Sequence, residues 1–222
     1  MHRRSGRLWH LLTAVITLFA LIFQFVLVAR GQQVLVEVEP PAMGTRMIRF
    51  FSYFTILSNI LVLFSTATLA LRTDRDSRWW RVIRLNALVG ITVTAIVAYF
   101  FLRPLMNLTG TAWVADLLVH VVAPLMAIAG WIAFGPGGRI RRADVPLSVI
   151  YPVGWLAYTL IRGAVVHWYP YPFLDVDTIG VGRTLLNCLG VAVLLVGLSV
   201  IALFVDRRLP GRDRPAAATA PG

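Results

Sequence analysis

The sequence predicts an all-α fold: a polytopic membrane bundle of six transmembrane helices with both termini cytoplasmic. Of its 222 residues, 58% are hydrophobic and only 14% charged, a balance foreign to soluble domains. Six apolar runs, at about 8–28, 50–71, 82–102, 113–134, 145–167 and 182–205, each approach the roughly 20 residues that a helix needs to cross about 30 Å of hydrocarbon. The third observation is where the arginines fall, the chain having no lysine. Arg3, Arg4 and Arg7 precede the first run, and Arg72, Arg75, Arg78, Arg81 and Arg84 cluster between the second and third. Arg139, Arg141 and Arg142 separate the fourth from the fifth, and Arg207, Arg208, Arg212 and Arg214 follow the sixth. The opposite side has only Arg30, Arg46, Arg49, Arg103 and Arg183. Positive charge gathers on the cytoplasmic side of membrane spans. The net charge of +11 is therefore a topology signal, and no nucleic-acid partner is expected.

Taken in order, the first run reads as an uncleaved span, because the VLVARGQ that ends it lacks a small-residue cleavage site. The second contains FSYFTILSNI, which carries Thr55, Ser58 and Asn59 inside an apolar stretch. The inner connection GPGGRIRRAD is a Gly- and Pro-rich turn followed by charge. HWYPYPFLD, outside the fifth span, is aromatic and Pro-rich and suits the headgroup zone as an interfacial anchor. The tail, LPGRDRPAAATAPG, reads as disordered. The expected organisation is one transmembrane domain over 1–206 and a disordered cytoplasmic tail over 207–222. Cys188 is the lone cysteine, so no internal disulfide or thiolate metal cluster can form.

Polar side chains in hydrocarbon need a partner or a function, and their depths can be compared. If the second span runs inward from about Phe50, Thr55 lies roughly 7–8 Å below its outer end at ~1.5 Å per residue. Asp116 and His120 fall in the first turns of the inward fourth span. Tyr158 and Arg162 fall in the last turns of the outward fifth, and Asn187 starts the sixth. Together with Asn59 they define one outer layer. Asp116 and His120 are four apart and share a helix face, where a carboxylate accepts an imidazole N–H and fixes its tautomer. A hydroxyl, a carboxylate-oriented histidine and nearby amide or guanidinium donors form the inventory for acyl transfer, most simply ester hydrolysis. Each member also has a plain structural role: Ser and Thr bond back to the preceding helical turn, Arg162 can snorkel, and Asp116 can pair with Arg162. No H-E-x-x-H or phosphate-cradling loop occurs, and His120 with His167 is the only imidazole pair to consider for haem. No metal and no cofactor is expected.

FFSYFTILSNILV in the second span, DLLVHVVAPLMAIAGW in the fourth and WLAYTLIRGAVVHWYPYPFLDV in the fifth with its outer loop resemble the androgen-induced protein / androgen-dependent TFPI-regulating protein family. That family includes bacterial six-span membrane proteins of the Pr6Pr type. The resemblance covers most of the chain from the second span to the sixth, with YPFLD at 171–175 its closest textual match. It implies an intramembrane threonine hydrolase that cleaves lipid esters similar to fatty acid esters of hydroxy fatty acids. The essential threonine falls on Thr55 and the essential histidine on His120.

The combined expectation is Thr55 as nucleophile, His120 as general base and Asp116 as its orienting carboxylate, with Asn59, Tyr158, Arg162 and Asn187 around the substrate. Arg162 suits a substrate carboxylate. Membrane lipids and a lipid ester are the expected partners, in a bacterial cytoplasmic membrane. The alternative is a non-enzymatic membrane protein that binds or transports a lipid or small acid in a polar intramembrane pocket, or a structural subunit whose polar layer holds helices together.

Overall fold

A computed structural model describes residues 2–32, 41–72, 75–135 and 137–209, and every regular element among them is helical. Six stretches are long and apolar enough to cross a membrane: Arg4–Ala29, Phe54–Leu71, Arg78–Leu105, Gly110–Phe134, Asp144–Val166 and Val181–Arg208. They fall on the six apolar runs and are compatible with a multi-pass membrane protein. The last helix extends through Arg208, so the first two residues assigned to a disordered tail are helical. Residues 210–222 lie outside the described residues.

The first span is one unbroken helix, α1 (His2–Ala29). The second run is not one helix but two, α2 (Met43–Ser52) and α3 (Phe54–Leu71), separated by Tyr53 in extended conformation. The third span is α4 (Arg78–Val97), which widens into a π-helical turn over Ala98–Leu102 and ends in a 3-10 turn over Arg103–Leu105. The fourth has the same device inside it: α5 (Gly110–Leu117), a π turn over Leu118–Val122, then α6 (Ala123–Phe134). Each π turn is followed two residues later by a proline, Pro104 or Pro124. Proline has no N–H to donate and crowds the carbonyl four residues back. The chain answers with one extra residue per turn, Arg103 N–H bonding to Ala98 O and Ala123 N–H to Leu118 O. The fifth span is α7 (Asp144–Ser148) and α8 (Ile150–Val166). A 3-10 turn (Pro172–Leu174) and α9 (Val176–Ile179) lead into α10 (Val181–Arg208).

The third span is the centre of the bundle, 67% of its most apolar window being buried, against 17% for the fifth span and 11% for the sixth. Helices surrounded by lipid gain little from hydrophobicity and associate by close packing. Small residues permit it here: a Cβ on Gly90 of α4 would stand 2.8 Å from Ser58 Oγ on α3, and one on Gly130 2.7 Å from the Trp9 ring. The end of the bundle where α4 begins is locked ionically. Arg81 Nε donates to Asp144 Oδ2 at 2.9 Å, and Arg81 also meets Asp76. Close by, the buried Asp206 carboxylate accepts from Trp131 Nε1 and the Ile140 N–H. The opposite end collects the N-terminus of α3, both π turns and the loop after α8.

That loop begins by docking on α8. The buried ring of Tyr169 packs against Gly163, where an added Cβ would collide with three ring atoms. Gly163→Ala is therefore expected to destabilise the fold by about 1–3 kcal/mol. Gly154→Ala on the same helix, with open space around it, should instead add about 0.5–1 kcal/mol through helix propensity. Thermal unfolding followed by circular dichroism in one detergent should show shifts of opposite sign.

Candidate catalytic site

The break at Tyr53 decides what Thr55 can do. A threonine inside a membrane helix ordinarily donates its hydroxyl to the carbonyl three or four residues earlier. Thr13, Thr17, Thr66 and Thr94 all do so. Thr55 is the second residue of α3 and has no helical turn before it, so its hydroxyl is available to a partner across the bundle. That partner is His120, with Thr55 Oγ1 3.2 Å from His120 Nε2. His120 Nδ1 stands 2.7 Å from Asp116 Oδ1. Asp116 accepts through its other oxygen from Arg103, Oδ2 lying 2.9 Å from Nη2 and 3.2 Å from Nε. An ionised carboxylate only accepts, so Nδ1 carries the proton and Nε2 is left to accept from the Thr55 hydroxyl. The side chains of Asp116 and His120 are only 9% and 10% exposed, which keeps this line of groups largely out of water.

The loop supplies a fifth member. Tyr171 Oη is 3.3 Å from Thr55 Oγ1 and accepts from the Thr55 N–H at 3.3 Å. With the Thr55 hydroxyl directed at His120, the phenol donates to Thr55 Oγ1. Burial pushes the Tyr171 phenol above its ordinary range, so it stays protonated and able to donate. The segment YPFLD owes its form to local chemistry. Pro172 starts the 3-10 turn, Leu174 buries itself in the core, and Asp175 caps α9 by accepting from the N–H groups of Asp177 and Thr178. Tyr171 stands at the head of this braced turn, packed on Tyr53, Trp155 and Phe173.

The other anticipated residues take different places. Asn59 is fully buried and staples the site from behind, its Nδ2 donating to Thr55 O and to Val119 O, the carbonyl just before His120. Tyr158 donates to Ser52 Oγ at 2.8 Å, since that hydroxyl is itself spent on Ile48 O. Asn187 holds the loop through Phe173 O at 2.9 Å. Arg162 does not pair with Asp116, which has Arg103 instead; it stacks on Trp168, which Arg49 covers as well. Tyr158, Arg162 and Asn187 thus make no hydrogen bond to Thr55, His120 or Asp116. Two members escaped sequence reasoning. Arg103 sits thirteen residues from Asp116, in the connection between the third and fourth spans, where no periodicity relates it to the carboxylate. Tyr171 was hidden in a segment that composition assigns to the headgroup zone.

Two cavities meet at Thr55, Leu102 and Tyr171, which line both. The smaller, about 50 Å³, holds Asp116, His120, Gln24 and Gln32. The larger, about 100 Å³, is almost wholly apolar and runs between α4, α8 and α10 down to Asn86, Ser148 and Ser199. Among the described residues, no group of three or more His, Cys, Asp or Glu is arranged to hold a metal ion. No family model, curated protein or solved structure matches the chain.

Asp116→Ala would leave the Arg103 guanidinium without its carboxylate and His120 Nδ1 without an acceptor in a largely dry setting. The expected loss of stability is about 1–3 kcal/mol, against less than about 1 kcal/mol for Thr55→Ser, which keeps the hydroxyl and removes one methyl. Apparent melting temperatures of the two purified variants check the order.

Proposed function

We propose that the protein is an intramembrane hydrolase of lipid esters, with Thr55 as nucleophile, His120 as general base and Asp116 as the residue that orients it. The observation supporting this most directly is that the Thr55 hydroxyl, freed from its own helix by the break at Tyr53, is aimed at a histidine nitrogen whose tautomer a buried carboxylate fixes. That is the arrangement an activated hydroxyl nucleophile requires. The apolar cavity ending at the same hydroxyl favours a lipid over a small polar ester. The arginine distribution in the sequence supports placing this end of the bundle at the outer face of a cell membrane.

The reaction proceeds in two halves. Thr55 Oγ1 attacks the ester carbonyl carbon while its proton passes to His120 Nε2, and the positive imidazolium is held by Asp116, itself held by Arg103. Negative charge moves from the nucleophile to the carbonyl oxygen. The Tyr171 hydroxyl and the positive end of α3 lie beside that path and stabilise it. The tetrahedral intermediate collapses, the C–O bond to the alcohol breaks, and His120 returns its proton to the departing alkoxide. Water arriving through the smaller, more polar cavity then gives up a proton to His120 and attacks the acyl-threonine; the C–O bond to Thr55 Oγ1 breaks as His120 returns that proton to the threonine oxygen, and the acid is released.

Labelling of the purified protein by a fluorophosphonate probe tests the reading. Wild type and Thr55→Ser should label; Thr55→Ala should not. His120→Ala should slow labelling by about 10²–10⁴-fold, and Asp116→Asn by a comparable factor through the wrong tautomer. All variants would be compared at matched folding. A folded wild type that neither labels nor hydrolyses any ester overturns the proposal.

A further inference from the structure

The larger cavity has a shape that the hydrolytic chemistry alone does not require. It starts at Thr55 and Tyr171, follows α10 from Cys188 to Ser199, and is walled by Val89, Val93 and Leu195. Its length along α10 is about 16 Å at ~1.5 Å rise per residue. Its lower end is polar: Ser148 and Ser199 approach to 3.5 Å, each hydroxyl already donating to a carbonyl of its own helix. Just beyond lies the ionic lock of Asp144 and Arg81. The two serine hydroxyls offer a ligand no free donor, and with the Asn86 amide at the same end they make a polar floor that stops an apolar chain. The side is different. Val153 of α8 and Val196 of α10 line the cavity and yet are 55% and 43% exposed. A residue that belongs both to a cavity and to the outer surface marks an opening, so the cavity communicates laterally with the surroundings between the fifth and sixth spans.

We infer that this cavity is the acyl-chain chamber of the enzyme, filled sideways from the bilayer through the α8–α10 opening. The Ser148–Ser199 floor limits chain length, and the alcohol half of the ester occupies the smaller cavity beside His120. The inference rests on the hydrolase reading and adds to it the orientation of the substrate and a length limit. The length along α10 matches an extended chain of about 13 methylenes, taking ~1.25 Å per bond from the ~3.8 Å three-bond repeat of an extended backbone; such a chain is bulkier than the enclosed volume of about 100 Å³, so part of it lies in the open side between α8 and α10. The assignment of the halves follows from the linings. The large cavity is apolar throughout its upper length, whereas the small one has the carboxylate, imidazole and amide groups that water and a departing hydroxyl group need.

Two measurements test it. In the first, wild-type protein in phosphatidylcholine nanodiscs is photolabelled with a tetradecanoic acid bearing a diazirine at its methyl end, with and without excess myristate. Adducts on Leu195, Ser199 or Ser148 that myristate suppresses are expected. Adducts only on outward residues such as Val193 and Val200, insensitive to myristate, or only on residues of the smaller cavity, overturn the inference. In the second, Val191→Trp and Leu195→Trp, both on the α10 wall of the cavity, narrow the chamber at a distance from Thr55, and p-nitrophenyl acetate and myristate are compared. Myristate turnover should fall at least about tenfold while acetate turnover, which needs none of the chamber beyond Thr55, stays within about twofold of wild type. Equal losses on both esters in a folded variant, or no loss on myristate, count against the chamber. A wild type that cleaves neither ester sinks the hydrolase reading instead, and photolabelling then still decides whether the cavity holds an acyl chain.

Discussion

A carboxylate held between apolar helices must find its hydrogen bonds within the protein, and the arrangement around Asp116 follows from that requirement. One of its oxygens takes the His120 N–H and the other takes the Arg103 guanidinium. Arg103 ends the third span and His120 lies in the π turn of the fourth, so the carboxylate fixes how these two spans meet. His120 then meets Thr55 on the second span, and Thr55 meets Tyr171 in the loop after the fifth. Four segments distant in sequence are thereby tied to one acid. The chemistry of the site and the packing of this end of the bundle are the same set of contacts.

The interruption between α2 and α3 obeys the same rule. Ending a helix inside an apolar bundle leaves backbone groups to be satisfied by something else. Trp155 Nε1 donates to the Ser52 carbonyl at 2.9 Å, and the Thr55 N–H reaches Tyr171 Oη. Both partners come from the fifth span and the loop it leads into, which is why the docking of that loop on Gly163 bears on a hydroxyl far from it in sequence. The placement of the Thr55 hydroxyl here depends on a defect that neighbouring elements have made tolerable.

Six apolar runs were legible because length and hydropathy alone determine whether a helix can cross a bilayer, and the observed spans coincide with them. The spacing of Asp116 and His120 was equally legible, since four residues place two side chains on one face even where the helix widens into a π turn. The break at Tyr53 was not. FFSYFT has neither glycine nor proline, and the groups that stabilise the break belong to Trp155 and Tyr171, more than a hundred residues away. Arg103 and Tyr171 were missed for a related reason: depth arguments apply to residues inside a helix, and these two lie where a helix has ended. Conversely, depth grouped Tyr158, Arg162 and Asn187 with the site, but a shared level does not make helical faces converge, and each of the three has a partner elsewhere.

The sparse burial of α8 and α10 gives the medium around the protein an unusual standing. Where Val153 and Val196 edge the larger cavity, the wall is not closed by protein, and whatever molecules surround the bundle complete it. A detergent tail, a short-chain lipid or a sterol would each become part of the same enclosure. The boundary of the cavity thus runs through the gap between two helices, and under the acyl-chain reading proposed above the choice of solubilising agent is at once a choice of competitor.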